Sequence, residues 1–145
     1  MKTIRNLLLG LILISAITLT SCEGIGADNG VGTIRIISIS PAGPYNDGTD
    51  YDFTVQVAYT LENTDDARIY VGFGVRESDG SSTTSIDAEE IVNPTTTEEF
   101  KTYTFSKTLN DASPDENIFR ASLNPYPVSG SYTSYDSVNQ VVTVQ

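Results

Sequence analysis

The sequence has no histidine and no tryptophan, and its single cysteine is Cys22. Without histidine there is no Ser-His-Asp or Cys-His nucleophile pair. Zinc sites built from His or Cys are excluded for the same reason. One cysteine cannot close an intramolecular disulfide, so the fold must stand without such a staple. Proton-transfer chemistry is left to carboxylates, tyrosine or lysine. Basic residues are also scarce, with 8 Lys plus Arg against 19 Asp plus Glu. Lys2 and Arg5 precede every acidic residue. The chain after Cys22 therefore carries six cations against all 19 acids, a net charge of −13. So acidic a surface repels phosphate backbones, which argues against nucleic-acid binding, and it disfavours polybasic contact with anionic headgroups.

What is present begins with a short positive segment, Met1-Lys2-Thr3-Ile4-Arg5-Asn6. Leu7 to Leu19 follows as an apolar run broken only by Gly10, Ser15 and Thr18. Roughly a dozen apolar residues are too few to span a bilayer comfortably but suit the hydrophobic region of a signal peptide. The run ends in Leu19-Thr20-Ser21-Cys22. This quartet resembles the lipobox of bacterial lipoproteins: an aliphatic residue, two small residues, then Cys. The resemblance implies that residues 1–21 are a removable export signal, with Leu19, Thr20 and Ser21 read by the signal peptidase. It also implies that Cys22 carries the lipid as the first mature residue. The implied address is the cell envelope, with anchoring through lipid in the outer membrane. Removal of residues 1–21 leaves 124 of the 145 residues, enough for one hydrophobic core and too few for two.

Residues 22–32 are rich in glycine and read as a flexible tether. At about ten residues it reaches at most ~35 Å. Strand patterns occupy the rest, over 33–145. Thr33 to Ser40 is rich in isoleucine. Asp52 to Glu62 alternates, with Phe53, Val55, Val57, Tyr59 and Leu61 on one face, and Ile69, Val71, Phe73 and Val75 repeat the pattern. Ala88 to Val92 is a weaker run. Tyr103, Phe105 and Leu109 share a face that Lys107 interrupts; Phe119, Ala121 and Leu123 follow, and Val138 to Val144 closes the chain. Turn residues separate these runs, among them Pro41-Ala42-Gly43-Pro44, Asn46-Asp47-Gly48 and Asp79-Gly80. Ser81 to Ser85 and Thr95 to Thr97 read as polar loops. No segment shows a helical period. About seven short alternating strands predict an all-β, two-sheet sandwich with a Greek-key path. The pattern resembles the immunoglobulin or fibronectin type III superfold, without the Cys and Trp hallmarks of antibody domains.

In a seven-strand sandwich the loops near 41–51, 78–87 and 110–116 share the end opposite the tether. They carry Asp47, Asp50, Asp111 and Asp115, among other acids. Carboxylates from separate loops are what Ca²⁺ requires, since it takes six to eight hard oxygens; the plainer reading is that Asp favours turns. An EF-hand fails outright, because the third and fifth positions from Asp47 are Thr49 and Tyr51. The tether end holds Asn63 to Asp66 and the loop Asn124 to Tyr135, with Tyr126, Tyr132 and Tyr135. Tyrosines among Ser and Gly make adaptable contact surfaces for a protein or glycan ligand, or else pack onto the core.

Glu89-Glu90 and Glu98-Glu99 are the doublets a carboxylate-dependent glycan hydrolase would need. Neighbours along a strand point to opposite faces, so neither doublet converges by itself. Gly72 and Gly74, between Val71, Phe73 and Val75, read as strand glycines at a bulge or close contact rather than a nucleotide loop. Asp136-Ser137-Val138 resembles the three-residue O-glycosylation signal of Bacteroidota.

The expectation is a membrane-anchored, non-enzymatic binding or accessory module; a structural subunit of an envelope assembly is the alternative. Changing Cys22 to Ala is expected to abolish palmitate labelling and release the protein from membranes. Labelling that persists in this variant refutes the lipobox reading.

Overall fold

The computed structural model describes residues 31–62, 65–127 and 133–145. These form eight strands: β1 (Gly32–Ser40), β2 (Thr49–Leu61), β3 (Ala67–Arg76), β4 (Ser82–Thr84), β5 (Ala88–Val92), β6 (Thr95–Leu109), β7 (Glu116–Pro125) and β8 (Asp136–Val142). One antiparallel sheet has the order β1-β2-β6. The other runs β4-β3-β7-β8, with β5 beside β4 on the same edge of β3. With β4 and β5 counted as one interrupted strand, the chain crosses between sheets after β2, β5 and β6. That is the Greek-key path of an immunoglobulin-like sandwich, with its fourth strand placed next to the third.

The alternation seen in the sequence lines the space between the sheets. Phe53, Val55, Val57, Tyr59 and Leu61 of β2 face Ile69, Val71 and Phe73 of β3 and Phe119, Ala121 and Leu123 of β7 in one core. Phe119 sits at its centre, with ring centroids 4.9 Å from Phe53 and 5.3 Å from Phe73. Tyr45 closes one end of this cluster. It is buried, its ring meets Phe53 at 5.5 Å, and its hydroxyl donates to the Pro41 carbonyl at 2.8 Å. The segment after β1 then leaves its own sheet. Tyr45 N–H donates to the Thr143 carbonyl at 2.9 Å and Gln145 N–H returns to the Tyr45 carbonyl at 2.9 Å, in a parallel bridge to the C-terminal residues.

Three expectations need correction. Ser81 to Ser85 is not simply a loop, because Ser82–Thr84 pairs with Gly74–Arg76 as β4. Thr95 to Thr97 is not a loop either, because Thr95 pairs with Leu61 and opens the 15-residue β6. Both lie on edge strands, where one backbone side is solvated and polar residues mask the strand pattern. Gly32, assigned to the tether, instead opens β1; a Cβ there would lie 2.7 Å from the Thr60 carbonyl oxygen.

The two strand glycines sit at a close contact, as their spacing suggested. A Cβ on Gly72 would lie 1.7 Å from the Ser85 carbonyl oxygen, and one on Gly74 2.1 Å from that of Thr83. The β4–β5 segment therefore curls over the outer surface of β3. At the adjoining turn, Gly80 adopts φ +87°, which a side chain would disfavour. Gly72→Ala is expected to lower stability by about 1–3 kcal/mol, the usual cost of overpacking. Urea unfolding measures this, and an unshifted midpoint refutes the contact.

Candidate functional site

With Phe119, Ala121 and Leu123 facing inward, Arg120, Ser122 and Asn124 lie on the other face of the sheet, Arg120 half-buried and Ser122 and Asn124 buried. Register extends these residues into rows across the outer face of the five-stranded sheet. One row is Gly72, Arg120, Asn139; the next is Tyr70, Ser122, Ser137. The Ser85 carbonyl covers Gly72, and a shallow hollow of about 310 Å³ lies beside Arg120. Tyr70, Ser122, Asn124 and Ser134 line it, and Ile86, 59% exposed, stands at its rim.

The charge pattern singles out this hollow. Five of the six cations that follow Cys22 pair with carboxylates: Arg35 with Glu98 at 2.7 Å, Arg68 with Glu89 at 3.6 Å, Arg76 with Glu116, Lys101 with Glu90 at 2.6 Å and Lys107 with Asp87 at 2.9 Å. Among the described residues Arg120 has no carboxylate partner. Its guanidinium donates only to the hydroxyls of Ser82 (3.0 Å) and Ser137 (3.4 Å).

Those hydroxyls accept from Arg120, so each keeps its own hydrogen to donate. Ser122 is in the same position, since its oxygen accepts from the Asn124 amide at 3.0 Å. So is Tyr70, whose hydroxyl accepts from Arg68 at 3.4 Å. The Asn124 oxygen is already taken by the Ser134 hydroxyl at 2.8 Å. The hollow thus offers a cation ringed by donors. The exception is Asn139, opposite Arg120, whose side-chain oxygen is buried with no hydrogen-bond partner among the described residues. Such an arrangement is chemically matched to an acceptor-rich, negatively charged group.

The edge of the hollow is held by Asp87. Strand pairing lapses between β4 and β5, and there the Asp87 carboxylate accepts from Phe73 N–H at 2.8 Å and from the Ser85 hydroxyl at 2.7 Å. Lys107 reaches across from the other sheet to both Asp87 (2.9 Å) and the Ser85 hydroxyl (2.8 Å). This explains why a lysine interrupts the apolar face of β6. Burial alone would push the Asp87 carboxyl up. The Lys107 hydrogen bond, the Phe73 N–H, the Ser85 hydroxyl and the Lys107 charge outweigh it and hold the group below the usual carboxylate range. Nearby, burial followed by the charge of Glu90 pushes the Tyr103 hydroxyl well above the usual phenol range.

The tyrosines expected to form one binding loop are divided. Tyr126 lies under the Arg68 guanidinium, 4.7 Å from ring centroid to charge, and so joins the tether end of the outer face. Tyr135 packs against the core, and its N–H donates to the Leu123 carbonyl at 2.8 Å. Tyr132 lies outside the described residues, as do Cys22 and the preceding Leu19, Thr20 and Ser21.

The loops carrying Asp47 and Asp111 do share an end, since the Asp47 carboxylate accepts from Asp111 N–H at 2.8 Å. Asp111 accepts from Ser113 N–H at 3.0 Å, and Asp50, within β2, from the Thr108 hydroxyl. Asp115 closes a turn through its N–H to the Ala112 carbonyl at 2.9 Å. No group of three or more His, Cys, Asp or Glu among the described residues is placed to hold a metal ion. The acidic doublets are spent on structure: Glu89, Glu90 and Glu98 in ion pairs and Glu99 on the Tyr59 hydroxyl at 3.1 Å. Ser137 lies in β8 with its hydroxyl against Arg120, and Asp136 accepts from Ile34 N–H at 2.8 Å and ties β8 to β1.

Sequence reasoning passed over Arg120. Its signal was present in the alternation of Phe119, Arg120, Ala121, which places one of only six cations on the outer face. A larger hollow of about 560 Å³ lies between the β1–β2 loop and β8, lined by Ile39, Pro44, Tyr45 and Val141. It holds no charged side chain.

No family model matches the sequence, and no curated protein does. Among solved structures the fold is similar to that of Spo0M, a sporulation control protein from Bacillus subtilis. The TM-score is 0.42 and the identity 12%, over 80% of this chain and 50% of that one. The chain thus spans about half the length of that protein.

Because folding lowers the Asp87 pKa, its stabilisation is fully present above the unfolded value, about 3.9, and is lost as pH falls through the folded one. Lys107→Met removes the hydrogen bond and the charge that lower it. The acid-unfolding midpoint, followed by circular dichroism, is expected to move to higher pH. A midpoint that stays in place contradicts the clamp.

Proposed function

We propose that this protein is a non-enzymatic, lipid-anchored module of the cell envelope that binds a ligand through the outer face of β3, β7 and β8. The observation that supports this reading most directly is Arg120. In a chain with 19 acids it is the cation without a carboxylate partner among the described residues. A half-buried guanidinium left with neutral hydroxyls forgoes charge-assisted bonds that a ligand can supply. A volume near 310 Å³ is at the low end of small-molecule sites, roughly 300–1,000 Å³. Anchoring rests on Cys22, with the two or three acyl chains that make attachment stable. The binding role rests on side chains that present donors and a cation rather than a nucleophile and base.

Full-length protein displayed in detergent micelles, screened against glycans and envelope proteins, tests the reading. Arg120→Gln is expected to weaken the captured ligand about tenfold or more, the value of a charge-assisted hydrogen bond. A ligand whose affinity is unchanged by both Arg120→Gln and Tyr70→Ala refutes this face. Stable co-purification with one envelope partner, indifferent to both changes, favours the structural-subunit alternative.

A further inference from the structure

We infer that the ligand is an acidic saccharide, held by an oxyanion at Arg120 and carrying little charge elsewhere. This rests on the binding role proposed for the same face and specifies its ligand.

The donors around Arg120 set the first requirement. Ser82 and Ser137 each take a hydrogen bond from the guanidinium, at 3.0 and 3.4 Å, and retain a hydroxyl hydrogen beside it. Ser122 and Tyr70, one row away, also accept from neighbours and keep their hydrogens. An oxyanion placed there meets a planar cation fork and several hydroxyl donors together. A neutral group satisfies the hydroxyls but leaves the charge unmatched.

The second requirement is a donor on the ligand. The Asn139 side-chain oxygen, directly across the sheet from Arg120, has no hydrogen-bond partner among the described residues. Buried acceptors are ordinarily satisfied. Asn139 as a residue is only half-buried, and it pairs in register with Arg120, which lines the hollow. A molecule with an acid and a hydroxyl a few ångströms apart meets both requirements, and sugar acids have that form.

The hollow's character disfavours a peptide. Its lining is mostly hydroxyls, with an amide, a guanidinium and one tyrosine ring; Ile86 at the rim is its large aliphatic side chain, and the hollow is shallow. Peptide recognition concentrates its energy in deep, desolvated pockets for aromatic or aliphatic anchors. A sugar instead spreads hydrogen bonds over a polar floor and sets its carbon–hydrogen face on a ring such as that of Tyr70.

Charge sets the third requirement. One free cation neutralises one anionic group, and no second unpaired cation stands among the described residues. Further ligand charges would meet a chain that carries a net charge of −13 after Cys22. Screening over about 8 Å at physiological salt hides distant acids but not adjacent ones. A singly charged saccharide is therefore preferred over a densely charged one.

An array of matched oligosaccharides tests the inference on the full chain: each neutral core beside its sialylated, uronate-ended and singly sulfated forms, with heparin as a polyanion. Wild-type protein is expected to bind a singly charged form at least about tenfold more tightly than its neutral core and no less tightly than heparin. Preference for the carboxylate or the sulfate form identifies the source of the oxyanion, and either supports the inference. In Arg120→Gln the acidic and neutral forms should bind alike, while Arg120→Lys should retain part of the preference. Thermal melting confirms that each variant folds. Wild-type protein that binds a neutral core as tightly as its acidic form overturns the inference, and so does an acid preference that survives Arg120→Gln. Neutral binding that is lost in Tyr70→Ala overturns it while leaving the binding face intact. Absence of any ligand sensitive to Arg120 or Tyr70, saccharide or protein, overturns both.

Discussion

The structure depends on how Phe119 packs between the two sheets. No disulfide holds the described sheets together, and this ring joins β7 to Phe53 of the opposite sheet and to Phe73 on β3. Side chains on a strand alternate, so seating Phe119, Ala121 and Leu123 inward fixes Arg120, Ser122 and Asn124 outward. A slip of one residue would bury the guanidinium among aromatic rings and expose the core row. The chemistry of the outer face is thus set by the same contact that gives the fold its stability.

The second constraint is scarcity of positive charge. Most cations sit where they join neighbouring strands or the edges of the two sheets. Arg76 meets Glu116 across β3 and β7, Arg68 meets Glu89 across β3 and β5, and Lys101 and Lys107 carry β6 to acids on the opposite sheet. Asp87 shows how closely such links are built in, because its carboxylate takes the backbone hydrogen bond that the interrupted strand leaves open at Phe73. Against this pattern Arg120 links β4 and β8 through hydroxyls alone, and its charge has no carboxylate partner among the described residues.

Much of the architecture was legible in the sequence because the core rows of β2, β3 and β7, Phe53 to Leu61, Ile69 to Phe73 and Phe119 to Leu123, alternate along each strand. Phe53 to Leu61 and Ile69 to Phe73 were read in the right phase, and both are buried. The loops of Asp47 and Asp111 were rightly placed at one end. The misreadings share a cause. Ser82–Thr84 and the start of β6 are edge segments whose side chains touch water, so nothing in their composition separates them from loops. The tyrosine loop stayed open between binding and packing because ring content does not reveal which faces the rings take: Tyr135 turns to the core, Tyr126 to Arg68. The site itself was hidden because an isolated arginine on an alternating strand looks like any solvated residue. It becomes legible only when each cation is matched to its carboxylate, and that matching requires the register.

Arg120 stands near the middle of β7, away from both ends of the sandwich, while Val31 enters at one end and the Tyr45–Val144 bridge closes the other. Were the domain anchored through its N-terminal end as proposed, this face would look sideways, along the plane of the membrane rather than away from it. Copies standing in one leaflet would present their hollows within the span of a tether of at most ~35 Å. A long, sparsely charged chain lying over that surface could touch several at once, and linked weak contacts of this kind reach avidities roughly 10²–10⁴ times that of a single one. The orientation of one strand would then turn a shallow hollow into a layer that grips a polymer.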